Sequence, residues 1–150
     1  MPHSYTSLLT HLVFSTKDRL PDIDADLAGR LHPYLGGIVR ELDGKALAIG
    51  GAADHVHLLV SLPPTVAVSD ALRDIKANSS RWGHETWPAR LAFGWQTGYA
   101  AFSVSPSNRE AVERYIADQQ KHHRKFTFQE EFIALLEKHG VAYDPRYDWA

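Results

Sequence analysis

The stretch KALAIGGAADHVHLLVSL, Lys45 to Leu62, reads as a β-hairpin. Lys45 to Ile49 and His55 to Leu62 are rich in aliphatic residues, and Gly50-Gly51-Ala52-Ala53-Asp54 between them supplies the turn. Residues two apart on a strand share a face, so His55 and His57 project together while Val56, Leu58 and Val60 enter the core from the other side. Two polar rings on a strongly apolar strand need partners or a ligand.

Upstream, Leu8 to Thr16 is a first strand, halted by Lys17-Asp18-Arg19 and Pro21. Leu27, Leu31, Tyr34, Leu35, Ile38 and Leu42 then form one stripe of a helix that Asp43-Gly44 ends. Pro33 inside it is expected to kink the helix or mark a late start. Downstream, Pro63-Pro64 closes the hairpin, and Ser69 is the expected cap of a helix carrying Leu72, Ile75, Ser79 and Trp82 on one side. Phe93 to Thr97 and Tyr99 to Val104 are short strands around Gly98. Ser107 and Glu110 form an S-x-x-E capping box for a helix running to about Lys125; Thr127 and Glu130 form another for a final helix that Gly140 ends. Tyr143, Tyr147 and Trp149 mark a docked tail. The order β-α-β-β-α-β is that of the ferredoxin-like split β-α-β folds. The expected class is therefore α+β: an antiparallel sheet with an extra edge strand and C-terminal helices. One domain is expected over 1–150, with 1–126 as its core and 127–150 as the C-terminal helix and tail.

A length of 150 residues with 44% hydrophobic and 23% charged content suits one globular domain. No window approaches the roughly eighteen uninterrupted apolar residues of a membrane span, and Met1 to Thr10 has no basic stretch leading into an apolar run, so a cytoplasmic protein is expected. The absence of cysteine excludes disulfides and thiolate metal sites, leaving His, carboxylate or amide oxygen to hold any metal. A net charge of −2 argues against a global positive field for nucleic acid, although Arg73 to Arg90 and Arg109 to Lys125 each carry a local +2, and Phe128 to Ala150 carries −3. On charge alone such windows read first as ordinary solvated helix faces, so charge permits DNA binding without arguing for it.

With nine histidines in 150 residues a chance His-x-His pair is common, so the pair needs company. Four residues separate Tyr115 from Gln119, which puts them one turn apart on a helix face near Val112, Ile116 and His123. A tyrosine there is ordinarily core. A glutamine on that stripe is harder to explain by packing, because a buried amide needs hydrogen bonds, and its oxygen can instead bind a cation. Two imidazoles and one amide oxygen leave positions open on a divalent metal, which can polarise a phosphodiester oxygen. Tyrosine, with a free pKa of about 10, needs such help to attack phosphorus.

Four blocks in order carry a resemblance over nearly the whole chain: His11-Leu12-Val13-Phe14-Ser15-Thr16-Lys17, Ala53-Asp54-His55-Val56-His57-Leu58-Leu59-Val60, Ile75-Lys76-Ala77-Asn78-Ser79-Ser80-Arg81-Trp82 and Tyr115-Ile116-Ala117-Asp118-Gln119. They resemble the HUH single-tyrosine transposases of small bacterial insertion sequences, REP-associated tyrosine transposases included. The resemblance implies His55, His57 and Gln119 as ligands of Mg²⁺, with Mn²⁺ as a substitute, and Tyr115 as the nucleophile. It also implies single-stranded DNA with hairpin ends as substrate, a 5′-phosphotyrosine link, no nucleotide cofactor and a homodimer. One tyrosine per chain holds one cleaved end, so excising an element with two ends calls for two sites. Whether Tyr115 serves its own chain or the partner stays open.

Lys17, Lys76, Arg81, Trp82, Lys121 and Arg124 are the candidate DNA contacts, with core or surface roles as the alternative for Lys76, Arg81 and Trp82. His122-His123-Arg124-Lys125 reads first as a solvated helix end that suits the helix dipole. Two rival functions remain: a domesticated relative that nicks chromosomal repeat hairpins, and a metal-binding ferredoxin-like module without catalysis.

Overall fold

A computed structural model of the chain describes residues 4–144. Strands β1 (Leu9–Ser15), β2 (Lys45–Ala52), β3 (His55–Ser61) and β4 (Ala100–Val104) form one antiparallel sheet in the order β2-β3-β1-β4. Helices α1 (Ala25–Glu41) and α2 (Val68–Thr86) fill the connections, and α3 (Arg109–Ala117), α4 (Gln119–His122) and α5 (Phe128–Lys138) follow β4. This is the α+β split arrangement expected from the element order.

Period-two alternation divides the two faces. Leu12, Phe14, Val56, Leu58 and Val60 pack with Leu27, Leu31 and Leu35 of α1 and Leu72 and Ile75 of α2 in one buried cluster. Each such side chain contributes about 1.5–3 kcal/mol by leaving water. Val13 and Phe102 on the opposite face pack with Phe128, Leu135 and Leu136 of α5 in a second cluster. His11, His55 and His57 share that opposite face, so α3 to α5 roof the histidines over.

The hairpin turn is tighter than expected. Only Ala53 and Asp54 lie between the strands, and Gly50 and Gly51 belong to β2, paired with His57 and Val56. Close approach explains the glycines: a Cβ on Gly50 would meet the Ile116 carbonyl oxygen at 2.4 Å, and one on Gly51 the His55 carbonyl oxygen at 2.2 Å. Gly50 therefore lets the helix carrying Tyr115 lie against the strand beside the His pair.

Other local expectations divide. Helix α1 runs unbroken through Pro33, where the residue four back, Gly29, is exposed and leaves the unpaired carbonyl near water. Asp24, whose side chain accepts from the Leu27 amide, caps it. Ser69 caps nothing: α2 begins at Val68, which packs with Val66 against the core and sets the start. The Ser107–Glu110 box is not formed either, because Pro106 opens a 3₁₀ turn and the Ser107 hydroxyl meets Ser105 Oγ at 3.0 Å. The Thr127–Glu130 box is formed, and Gly140 at φ 67° follows the end of α5. Among the described residues there is no extra edge strand. Phe93 buries its ring against Gly83 and Trp95, and Trp95 makes only an isolated bridge to Thr16. Tyr143 packs on the second cluster, whereas Tyr147 and Trp149 of the expected tail lie outside the described residues.

Candidate active site

His55 and His57 are fully buried, each at 0% exposure. Both rings are held at Nδ1: His55 by Asp54 Oδ1 at 2.7 Å, and His57 by Nε2 of buried His11 at 2.8 Å. A partner at one ring nitrogen fixes the ring and turns the other nitrogen to a ligand, here Nε2 in each case.

Gln119 meets this pair from α4. Its Oε1 lies 2.9 Å from His55 Nε2 and 3.0 Å from His123 Nε2, while its amide donates to Glu131 Oε2 at 2.8 Å. The Tyr115 hydroxyl donates to the same carboxylate oxygen, and its ring centroid is 5.6 Å from that of His57. The phenol, the two imidazoles and the amide picked out from the sequence thus converge within one chain.

The route to that convergence differs from a continuous helix. The chain leaves helical geometry at Asp118 (φ −93°, ψ 13°), so Tyr115 lies in the last turn of α3 and Gln119 begins α4. The break turns His123 inward, with its ring 4.5 Å from His55, and His122 beside Tyr115 at 5.6 Å. The solvated helix end expected at 122–125 therefore holds only for Arg124 and Lys125, which are exposed.

Glu131, on α5, is the residue that the sequence reading missed. Its Oε1 lies 3.1 Å from His57 Nε2, 3.3 Å from His55 Nε2 and 3.0 Å from His123 Nε2. A signal was present: Phe128, Glu131 and Leu135 share an apolar helical stripe, and a carboxylate on such a stripe demands partners.

Burial opposes charge on His55, but its hydrogen bonds to Asp54, Glu131 and Gln119 outweigh it and hold the ring's pKa at about 9. Burial drives His57 below its ordinary value despite Glu131. Burial and then the neighbouring His57 push His11 down to about 3. Burial by itself would raise the Glu131 carboxyl; hydrogen bonds from His55 and His57 pull it well below the usual carboxylate range. Burial, reinforced by Glu131, raises the Tyr115 phenol above its ordinary value.

The donor set fits a divalent cation. One ligand atom each from His55, His57 and Glu131 lies within 4.8 Å of the others, all three residues being buried, and imidazole nitrogen with carboxylate or amide oxygen is a set such ions accept. His122 Nε2 is buried without a hydrogen-bond partner, 3.5 Å from Glu131 Oε2, which leaves ligand capacity at the same carboxylate. Tyr115 also borders two cavities, one of about 300 Å³ with His11, Asn108 and His139, and one of about 290 Å³ with His122 and Phe126; Lys138 lines both.

The other singled-out residues lie elsewhere. Trp82 stacks on Tyr34 at 4.4 Å and packs against the α1–α2 cluster. Lys76 Nζ donates to the carbonyls of Gln96 and Gly98 at 2.7 and 2.8 Å, tying down the loop before β4. Lys17, Arg81, Lys121 and Arg124 are exposed, and Arg81 bonds Asn78 on its own helix.

Residues 4–119 match the family described as "Transposase IS200 like". The ISDra2 transposase TnpA of Deinococcus radiodurans is 28% identical over 114 residues, covering 73% of this chain and 81% of that protein. The transposase for insertion sequence element IS200 of Salmonella typhimurium is 27% identical over 128 residues, covering 79% and 81%. In fold, the chain is similar to a candidate transposase from Deinococcus radiodurans R1 (TM-score 0.65, 24% identity, 79% of this chain and 95% of the other). It is also similar to a REP-associated tyrosine transposase bound to a REP hairpin (TM-score 0.61, 14% identity, 82% and 73%).

Proposed function

The chain belongs to the IS200-like transposase family, and from that premise we propose that it cleaves and rejoins single-stranded DNA through a 5′-phosphotyrosine intermediate. Tyr115 is the nucleophile, and His55, His57 and Gln119 hold a divalent cation, Mg²⁺ with Mn²⁺ as substitute. The observation that carries this reading is the meeting of Tyr115, Gln119 and both Nε2 atoms around one buried carboxylate.

When bound, the cation supplies positive charge that polarises a phosphodiester oxygen and offsets charge gathering at phosphorus. The protein orients the rest. Tyr115 oxygen forms the new bond to phosphorus while the bond from phosphorus to the 3′-oxygen breaks, leaving a tyrosine ester on the 5′ side and a free 3′-hydroxyl. The phenolic proton is lost toward Glu131 Oε2, its hydrogen-bond acceptor, and the departing oxygen gains one. The two cavities that Tyr115 borders give the strand room to reach the phenol, with Lys138 beside both for backbone phosphate. Because the ester conserves the energy of the cleaved bond, a new 3′-hydroxyl reverses the step without a nucleotide cofactor.

The substrate is single-stranded DNA with hairpin ends, and the working form is a homodimer in the cytoplasm, since two ends need two phenols. Among the described residues no helix is long and apolar enough to cross a membrane. Incubating the protein with single-stranded element ends and Mg²⁺ tests the reading: a covalent protein–DNA adduct is expected, and it disappears in Tyr115→Phe. No adduct with any divalent cation contradicts it.

A further inference from the structure

The stretch that matches the family ends at Gln119, yet the carboxylate at the centre of the site comes from α5, beyond it. Among the described residues Glu131 is the one buried carboxylate, at 3% exposure. Its Oε1 faces the Nε2 atoms of His55 and His57, the nitrogens left over once Asp54 and His11 have taken Nδ1 of each ring. Its Oε2 faces the Tyr115 hydroxyl and the Gln119 amide. Two neutral imidazoles and a neutral amide would leave a dication in a buried pocket with no anionic protein ligand, which is costly. A carboxylate already within 4.8 Å of both ring nitrogens supplies it without rearranging the backbone.

We propose that Glu131 is the anionic ligand of the metal centre, so that the C-terminal helix α5 completes a site otherwise built from the sheet and α4. Oε1 binds the ion beside His55 and His57, and Oε2 keeps its hydrogen bonds to Tyr115 and Gln119. Metal occupancy and the docking of α5 are thereby coupled. The proposal rests on the metal-site reading above but requires no DNA chemistry.

Mn²⁺ titration by calorimetry on the full chain tests it, with wild type, His55→Ala, Glu131→Gln and Glu131→Asp compared at one pH and folding checked by far-UV circular dichroism. Wild type is expected to bind one Mn²⁺, His55→Ala to lose it, Glu131→Gln to bind at least tenfold more weakly, and Glu131→Asp to recover part of the loss. If Glu131→Gln binds Mn²⁺ as well as or better than wild type while His55→Ala does not, the carboxylate only plugs the metal-free site and the proposal is overturned. Wild-type amide spectra supply an arm that needs no variant: Mn²⁺ should broaden α5 resonances around Glu131 together with those of β3. Broadening of β3 with α5 spared means that the helix leaves when metal enters, which also overturns it. A wild type that binds no Mn²⁺ removes the metal site itself, whereas loss of the Tyr115 adduct with Mn²⁺ binding intact counts against the transposase chemistry alone.

Discussion

Asp54 Oδ1 lies 2.7 Å from Nδ1 of its sequence neighbour His55, so the first residue of the His pair is oriented by the turn that precedes it. The bond turns Nε2 toward Gln119 and raises the basicity of the ring. Such outer partners typically change metal affinity by about 10–100-fold. Asp54→Ala is therefore expected to weaken Mn²⁺ binding by about that factor while the fold persists, as measured by calorimetry; unchanged affinity would mean that packing alone orients the ring.

The metal-free protein should have a pH-dependent stability with opposing arms. His55 has a folded pKa of about 9 against 6.5 unfolded, so its stabilisation is complete below about pH 6.5 and is lost as pH rises through 9. That loss is on the order of 3 kcal/mol. His11 has a folded pKa of about 3, so the unfolded state takes up a proton first and stability falls as pH drops from 6.5 toward 3. Urea melts in a chelator from pH 4 to 9.5 should show a maximum near neutrality. His55→Ala should flatten the alkaline arm and His11→Ala the acid one.

Gly50→Ala tests how the Tyr115 helix is placed. Its Cβ would meet the backbone oxygen of Ile116 at 2.4 Å, which no rotamer change relieves. A stability loss of about 1–3 kcal/mol is expected, as for an overpacked core, with a larger fall in adduct yield than in Mn²⁺ affinity. Equal falls would mean that α3 and the His pair move together.

Trp82→Ala should lower stability by about 2–3 kcal/mol through loss of its packing on the α1–α2 cluster and of the Tyr34 stack, and leave Mn²⁺ affinity unchanged. Filter binding with a hairpin oligonucleotide then decides its second role: weaker binding by the folded variant at low temperature assigns the ring to DNA as well.

The half of the site carried by β3 was legible because strand alternation is local. His55 and His57 share a face wherever that strand goes, and Val56, Leu58 and Val60 name the core side. Tyr115 and Gln119 were legible as a pair, though through helical spacing that the chain abandons at Asp118. Glu131 was hidden by distance, since its bond to His57 spans 74 residues: the stripe it shares with Phe128 and Leu135 says that the carboxylate needs partners but not which ones. Its neighbour Glu130 carries the capping motif, which says nothing of the carboxylate one position on. The glycines at 50 and 51 read as a turn because glycine punctuates turns far more often than it admits a crossing helix. The two S/T-x-x-E motifs show the same limit: Thr127 closes its box, whereas Ser107, after Pro106, does not.

The most direct measurement of the central claim is the position of the covalent bond. After reaction with a single-stranded element end in Mg²⁺ or Mn²⁺, proteolysis and mass spectrometry should find the DNA linked through its 5′-phosphate to the peptide that contains Tyr115, and to no other. DNA attached to a different tyrosine, Tyr147 included, or a cleaved strand with no attached peptide, would contradict the account.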